Sequence, residues 1–118
     1  MDSKIRTYQF ALKTIGFIDK LPKDMSTQII AKQLLRAATS IGANIIEAQA
    51  SSSRKDFTNF FNYSLKSANE TKYWLNLLKD ANKADGDTIN VLIKEVDGIA
   101  NILGSSILTL KGKKSFKL

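Results

Sequence analysis

Apolar residues recur at steps of three and four along most of this chain, which is the spacing of one face of an α-helix. The pattern is clearest in Gln33–Ala48, where one apolar stripe comprises Leu34, Ala37, Ala38, Ile41, Ile45 and Ala48. A polar row runs beside it at steps of 3, 4, 4 and 3: Gln33, Arg36, Ser40, Asn44 and Glu47. Such a row is either a solvated helix face or a half-buried, hydrogen-bonded seam. Its mixture of residue types, without Lys, favours the seam.

The same periodicity predicts four helices and a basic tail. Pro22 separates the first helix from the second, and Gly112 is expected to end the fourth. The predicted helices span residues 3–20, 26–50, 53–82 and 88–111, and the tail spans 112–118. Because the connections are short, we predict an all-α, single-domain, up-and-down antiparallel four-helix bundle.

The helix starts carry capping signals, in which a short polar side chain accepts hydrogen bonds from free backbone N–H groups. The clearest is an S-x-x-D capping box before the third helix. A run of turn-forming residues precedes the fourth helix. The expected N-caps are, in chain order, Asp24 or Ser26, Ser53 with Asp56, and Asp87 or Thr88.

Two helices carry more apolar surface than a monomeric core requires, which predicts a subunit interface. On the first helix, one face has Tyr8, Ala11, Leu12, Ile15 and Ile18, and the nearly opposite face has Phe10, Phe17 and Leu21. The third helix has a heptad seam of Phe57, Phe61, Ser64, Ala68, Thr71, Leu75 and Leu78. Beside that seam runs a second stripe of Tyr63, Ser67, Glu70, Trp74, Leu77 and Ala81. The interface candidates are Phe10, Phe17, Tyr63, Trp74 and Leu77.

The fourth helix has one apolar face and two glycines within it. Its face comprises Ile89, Leu92, Ile93, Val96, Ala100, Leu103, Ile107 and Leu110. Each glycine costs about 1 kcal/mol relative to Ala in a helix. We therefore expect close helix packing at Gly98 and Gly104.

The polar row predicts a specific contact between the second and third helices. If these helices form a hairpin turning near Ser52, Arg36 lies within reach of Glu70. We expect an ion pair there, with Ser40, Asn44 and Ser67 completing its hydrogen bonds. The same residues would alternatively face a neighbouring subunit. If the pair is buried, removing one partner should lower the free energy of unfolding by about 3–5 kcal/mol.

The polar row and the third helix together resemble a known family. The motif QLLRAATSIGANIIEA is followed by Phe57, Phe60 and Phe61, and then by SANETKYWL at Ser67–Leu75. This combination resembles the ribosomal RNA intervening-sequence proteins, small bacterial four-helix bundles. The resemblance covers roughly Tyr8 to Leu110. Two positions depart from the family pattern: Ala48 stands where Gly is frequent, and Lys66 where a small residue is frequent.

The resemblance implies assembly more than chemistry. These proteins are similar in fold to the accessory protein of diversity-generating retroelements, a basic pentameric ring that binds nucleic acid and a reverse transcriptase. By resemblance, we expect a homo-oligomer, with a homopentamer as its form. The family itself carries no established molecular function.

Composition argues against an enzyme or a metal protein. The chain has no Cys and no His, so it lacks a thiolate, an imidazole ligand and a neutral-pH proton shuttle. Its only glutamates are Glu47, Glu70 and Glu95, and it has no Gly-rich phosphate loop. We expect no catalytic residues, no metal and no cofactor. With no apolar segment of membrane-spanning length, the expected location is the cytoplasm.

The net charge of +7 points to a polyanionic partner, and four of the cations lie in the last eight residues. No base-reading motif is present, so binding would be to RNA or DNA backbone. The expected contacts are Arg54, Lys55, Lys111, Lys113, Lys114 and Lys117. The Lys tail is alternatively a solubilising end. A protein–protein scaffold that binds no nucleic acid is the alternative function.

Overall fold

The computed structural model describes residues 2–112, and these form a four-helix up-and-down bundle of 50 × 28 × 22 Å. In chain order the helices are α1 (Ser3–Asp19), α2 (Met25–Ala50), α3 (Arg54–Asp80) and α4 (Gly86–Leu110). Each helix packs against the next, and α1 also packs against α4, so the four helices close into a square. The predicted all-α bundle is confirmed, and every helix end lies within two residues of its expected position.

Side-chain caps begin all four helices. The residues that accept the capping hydrogen bonds are Asp2, Asp24, Ser53 and Asp85. The expected caps of α2 and α3 are confirmed, but that of α4 is wrong. The Asp85 carboxylate accepts from both the backbone N and the Oγ1 of Thr88, which starts α4 earlier and places Asp87 in its first turn.

The cap of α2 also joins the two helix connections at one end of the bundle. The Oδ1 of Asp24 accepts a hydrogen bond of 2.8 Å from Thr27 Oγ1, and its Oδ2 lies 3.2 Å from Lys83 Nζ in the α3–α4 connection. The hydrogen bonds from Thr27 and then Lys83 hold the pKa of Asp24 well below its usual range. The ionised carboxylate therefore links the start of α2 to the turn before α4.

The α1 helix turns its phenylalanines inward. Phe10 is 1% exposed and Phe17 is 8% exposed, so placing them at a subunit interface is wrong. Thr7 and Thr14 are buried on the same face. Their hydroxyls donate to the carbonyls of residues 3 and 10 within the helix, so their burial leaves no hydroxyl without a hydrogen bond. These two threonines complete a core stripe at steps of three and four. The apolar pattern of the sequence did not reveal this stripe, because threonine is a polar residue.

The opposite face of α1 is open to solvent. Tyr8, Leu12 and Ile15 are between 40% and 66% exposed. The exposed apolar face of α1 is therefore the one opposite the interface candidates Phe10 and Phe17. It borders α2 along an apolar groove described below.

The glycines of α4 do not mark close helix packing. A Cβ on Gly98 would lie 2.5 Å from Arg6 Nη2, so this glycine admits a side chain rather than a neighbouring backbone. Arg6 Nε in turn lies 3.0 Å from Glu95 Oε2. Nothing lies within 4 Å of a Cβ on Gly104. The expectation for Gly104 is wrong.

The close approach occurs instead at Gly42, where α2 meets α1. A Cβ there would lie 3.1 Å from Thr7 Oγ1 and 3.7 Å from the Thr7 carbonyl carbon.

The Gly42→Leu substitution tests this close approach. The leucine side chain should push α1 away and lower the free energy of unfolding by about 1–3 kcal/mol in urea titrations. Gly104→Leu is the matched control, because its site is open and Leu is the better helix former. Equal losses for both variants would contradict a steric role for Gly42.

Candidate functional site: the α2–α3 seam and the basic end

One surface of the bundle unites two stripes that the sequence shows separately. We call it the α2–α3 seam; it comprises Gln33, Arg36, Ser40, Asn44 and Glu47 of α2 with Tyr63, Ser67, Glu70, Trp74 and Leu77 of α3. Two contacts fix the register of these helices: the Arg36–Glu70 ion pair, and a buried bond of 2.8 Å from Ser64 Oγ to the Ile41 carbonyl. Most seam side chains are half-buried, whereas Arg36, Glu47 and Tyr63 are exposed.

A four-residue cluster lies at the centre of the seam. Arg36 Nη2 donates to Glu70 Oε2 within the same chain, which places the predicted ion pair inside one subunit. Gln33 Oε1 accepts from the Nε and Nη2 of Arg36, at 3.2 and 3.0 Å. Trp74 Nε1 donates to Glu70 Oε2 at 2.9 Å. The indole of Trp74 therefore forms a hydrogen bond in addition to its packing contacts. Its position four residues after Glu70 is the sequence signal that could have predicted this bond.

The smaller polar residues of the row do not surround this cluster as expected. Ser40 Oγ donates to the Arg36 carbonyl at 2.7 Å, and Asn44 Nδ2 donates to the Ser40 carbonyl at 2.9 Å. The Ser67 carbonyl accepts a bond from Thr71 Oγ1. Each bond stays within its own helix, because short polar side chains reach the carbonyl four residues back more readily than a neighbouring helix.

The exposure of the ion pair changes its expected energy. The Arg36 side chain is 55% exposed and that of Glu70 is 35% exposed, so the pair is not buried. Exposed pairs contribute about 0.2–1 kcal/mol, and the expectation of about 3–5 kcal/mol is therefore wrong. The bond from Trp74, followed by the contact with Arg36, lowers the pKa of Glu70 against the opposing effect of desolvation.

This cluster predicts a pH-dependent contribution to stability. Because the folded pKa of Glu70 is lowered, its stabilising effect is full above the unfolded pKa and is lost as pH falls through the folded value. Glu70→Gln should therefore lower the free energy of unfolding by about 1 kcal/mol at pH 7 and by progressively less below about pH 4.5. Urea titrations across that range measure the difference.

The matched control for this prediction is Asp80→Asn at the end of the same helix. It also removes one exposed carboxylate, but Asp80 has no ion-pair partner among residues 2–112. A negative charge at a helix C-terminus is unfavourable, so this variant should not lower the free energy of unfolding at pH 7. An equal decrease in both variants would contradict a specific role for the Glu70 cluster.

A second candidate surface lies where the bundle exposes the start of α3 and the end of α4. The Nε and Nη2 of Arg54 donate to the Leu110 carbonyl at 3.2 and 2.9 Å, which joins the first turn of α3 to the last turn of α4. Gly112, at φ 76°, follows the end of α4 as expected. Exposed Lys55 and Lys111 lie on these same two helix ends. We call Arg54, Lys55 and Lys111 the basic end. Lys113, Lys114 and Lys117 lie outside the described residues.

The described part of the chain offers no metal centre. Within residues 2–112, no group of three or more carboxylates is placed to hold a metal ion. In that same span, no helix is both long and apolar enough to cross a membrane. The seam and the basic end consist of hydrogen-bonding, aromatic and cationic side chains.

Comparison with known proteins identifies the family. The sequence model of the 23S rRNA-intervening sequence protein family matches residues 2–105. Comparison with curated proteins found no match. Among solved structures, the chain is similar to a Bacteroides thetaiotaomicron protein of unknown function from the S23 ribosomal protein family. The two share 34% identity and a TM-score of 0.82, over 90% of this chain and 98% of that one. The chain belongs to the 23S rRNA-intervening sequence protein family.

Proposed function

We propose that this protein is a non-enzymatic, self-assembling accessory protein that binds the phosphate backbone of RNA or DNA without reading sequence. The observation that carries the proposal is the contact between Arg54 and the Leu110 carbonyl. It gathers the basic end at the point from which the lysine-containing tail continues in the sequence. Cations clustered at one end attract phosphates more strongly than the same charges dispersed.

The distribution of ion pairs supports a negatively charged partner. In the four ion pairs within residues 2–112, Glu70, Glu95, Asp97 and Asp24 are matched with cations of the same chain. Asp2 and Asp85 cap helices. By contrast, many lysines of residues 2–112 have no acidic partner there: Lys4, Lys13, Lys20, Lys23, Lys32, Lys55, Lys66, Lys79, Lys94 and Lys111. Six of the eleven acidic groups are thus engaged in ion pairs or helix caps, whereas most lysines of residues 2–112 are available to a partner.

Self-assembly would multiply a weak electrostatic effect. Each chain carries +7, so a homopentamer would carry five times that charge. Several basic ends acting together raise the effective local concentration of binding groups. Affinity for a long polyanion would then exceed that of a single chain without any base-specific contact.

A protein–protein scaffold is the second candidate. It is favoured by large exposed apolar side chains on α1 and α2, among them Tyr8, Leu12 and Ile46. Salt separates the two functions, because counterion release weakens backbone binding steeply while apolar contacts persist.

The tail variant Lys111→Gln, Lys113→Gln, Lys114→Gln and Lys117→Gln tests the proposal directly. We expect weaker binding to a mixed-sequence single-stranded RNA in fluorescence anisotropy titrations. The slope of log affinity against log salt, between about 50 and 200 mM, should fall by about 0.7 for each phosphate group that the variant no longer neutralises. Binding of the parent that ignores salt, or no binding at low salt, would contradict the nucleic-acid proposal and favour the scaffold.

A charge-matched control separates location from net charge. The variant Lys13→Gln, Lys20→Gln, Lys32→Gln and Lys94→Gln removes four positive charges from positions elsewhere on the bundle. It should retain more of the affinity and more of the salt slope than the tail variant. Equal losses in the two variants would mean that net charge, and not the basic end, governs binding.

A further inference from the structure

An exposed apolar surface lies between α1 and α2. We call it the α1–α2 groove; it is a depression of about 710 Å³ whose apolar lining includes Ile5, Tyr8, Leu12, Ile15 and Ile46. These side chains are between 40% and 66% exposed. Together they present roughly 400–500 Å² of apolar surface, which is the size of the largest apolar patch on a typical monomer, and such patches are often functional. The groove is therefore suited to a partner.

The opposite flank of α2 carries the α2–α3 seam, whose apolar members are also exposed in part. Ile29 extends the seam at its α2 end: it is 56% exposed and lies one helical turn before Gln33. Tyr63 is 49% exposed, and Trp74 and Leu77 are half-buried. A polar centre flanked by apolar side chains suits a subunit interface, which combines apolar and aromatic contacts with hydrogen bonds.

We propose that the α1–α2 groove of one copy receives the α2–α3 seam of a second copy, in a head-to-tail contact. This inference rests on the self-assembly proposed above and assigns its two surfaces. One such contact buries both exposed faces at once, whereas a groove-to-groove dimer leaves the seam in water. A standard interface buries about 800 Å² per partner, and the apolar lining of the groove would supply about half of that area.

Charge placement supports a second copy as the occupant. Lys4 lies at the rim of the groove, and the contact of Thr7 with Gly42 places it level with the last turns of α2. Glu47 lies in those turns, on the seam side. Neither side chain has an ion-pair partner among residues 2–112. Side-by-side copies with parallel helices would bring Lys4 of one copy to the height of Glu47 of the next.

The angle between the groove and the seam predicts that the assembly closes into a ring. Adjacent sides of a four-helix bundle point roughly 90° apart, and both directions are perpendicular to the helices. Head-to-tail contacts at about 90° close a ring of four, and about 108° closes a ring of five. Faces on opposite sides of the bundle would instead produce an open row. The ring axis therefore runs parallel to the helices.

Two single variants and their mixture test this arrangement by light scattering after size exclusion, on the full chain without nucleic acid. Leu12→Glu disables the groove, and Tyr63→Glu disables the seam. Each variant alone should be monomeric, because every contact needs both faces. Mixed together, they should form a one-to-one heterodimer of twice the 13.1 kDa chain mass, through the intact groove of one and the intact seam of the other.

The other outcomes are equally informative. A variant that keeps the parent's mass shows that its face is not used, and a mixture that stays monomeric shows that the two faces do not meet. Either result overturns the assignment. A monomeric parent overturns self-assembly itself. Loss of RNA binding, by contrast, leaves these masses unchanged, so the two proposals fail separately.

Further variants guard against unfolding and non-specific effects. Tyr8→Glu and Ile29→Glu form a second groove and seam pair at exposed positions and should repeat the result. Val91→Glu on α4 is the matched control, because Val91 is 62% exposed and apolar but lies on neither face. It should keep the parent's mass, and circular dichroism should show the same helix content throughout. A monomeric Val91→Glu would count against the assignment.

Discussion

The close packing of α2 against both of its neighbours is the constraint on which the rest of the structure depends. Its core stripe contains Ala37, Ala38 and Ala48, all fully buried, and small residues let neighbouring helices approach. On one side, Gly42 admits Thr7 of α1. On the other, the buried Ser64 hydroxyl donates to the Ile41 carbonyl, a contact that needs the two helices close together. Both flanks of α2 are thereby fixed in register.

This small-residue core has a consequence for the surface. A core stripe with several alanines buries less apolar area for each turn of helix than one of leucines, and large apolar residues lie beside α2 instead of in its core. Tyr8, Leu12 and Ile46 are exposed beside α2 in the folded chain. The same packing that fixes α2 thus leaves an apolar groove on one of its flanks and a mixed seam on the other. The proposed assembly would therefore be linked to stability through one helix.

Sequence periodicity predicted the helices and the core of α2 because those signals are local and repeat over many turns. It failed where a polar residue is satisfied inside its own helix. Thr14 is fully buried because its hydroxyl bonds the Phe10 carbonyl, and no composition rule separates it from an exposed threonine. The Arg36–Glu70 pair was predictable from helix register. Its exposure was not, because that depends on how far two helices leave their shared flank open to water.

The basic end gains its significance from the direction of the proposed ring axis. A rotation axis parallel to the helices keeps the same end of every copy on the same rim. Arg54, Lys55 and Lys111 of all copies would then lie on one side of the ring. An antiparallel dimer would place those residues at opposite ends and separate their charges. Head-to-tail assembly would therefore place several basic ends where one long polyanion can contact all of them, and such multivalent contact raises the affinity without any base-specific contact.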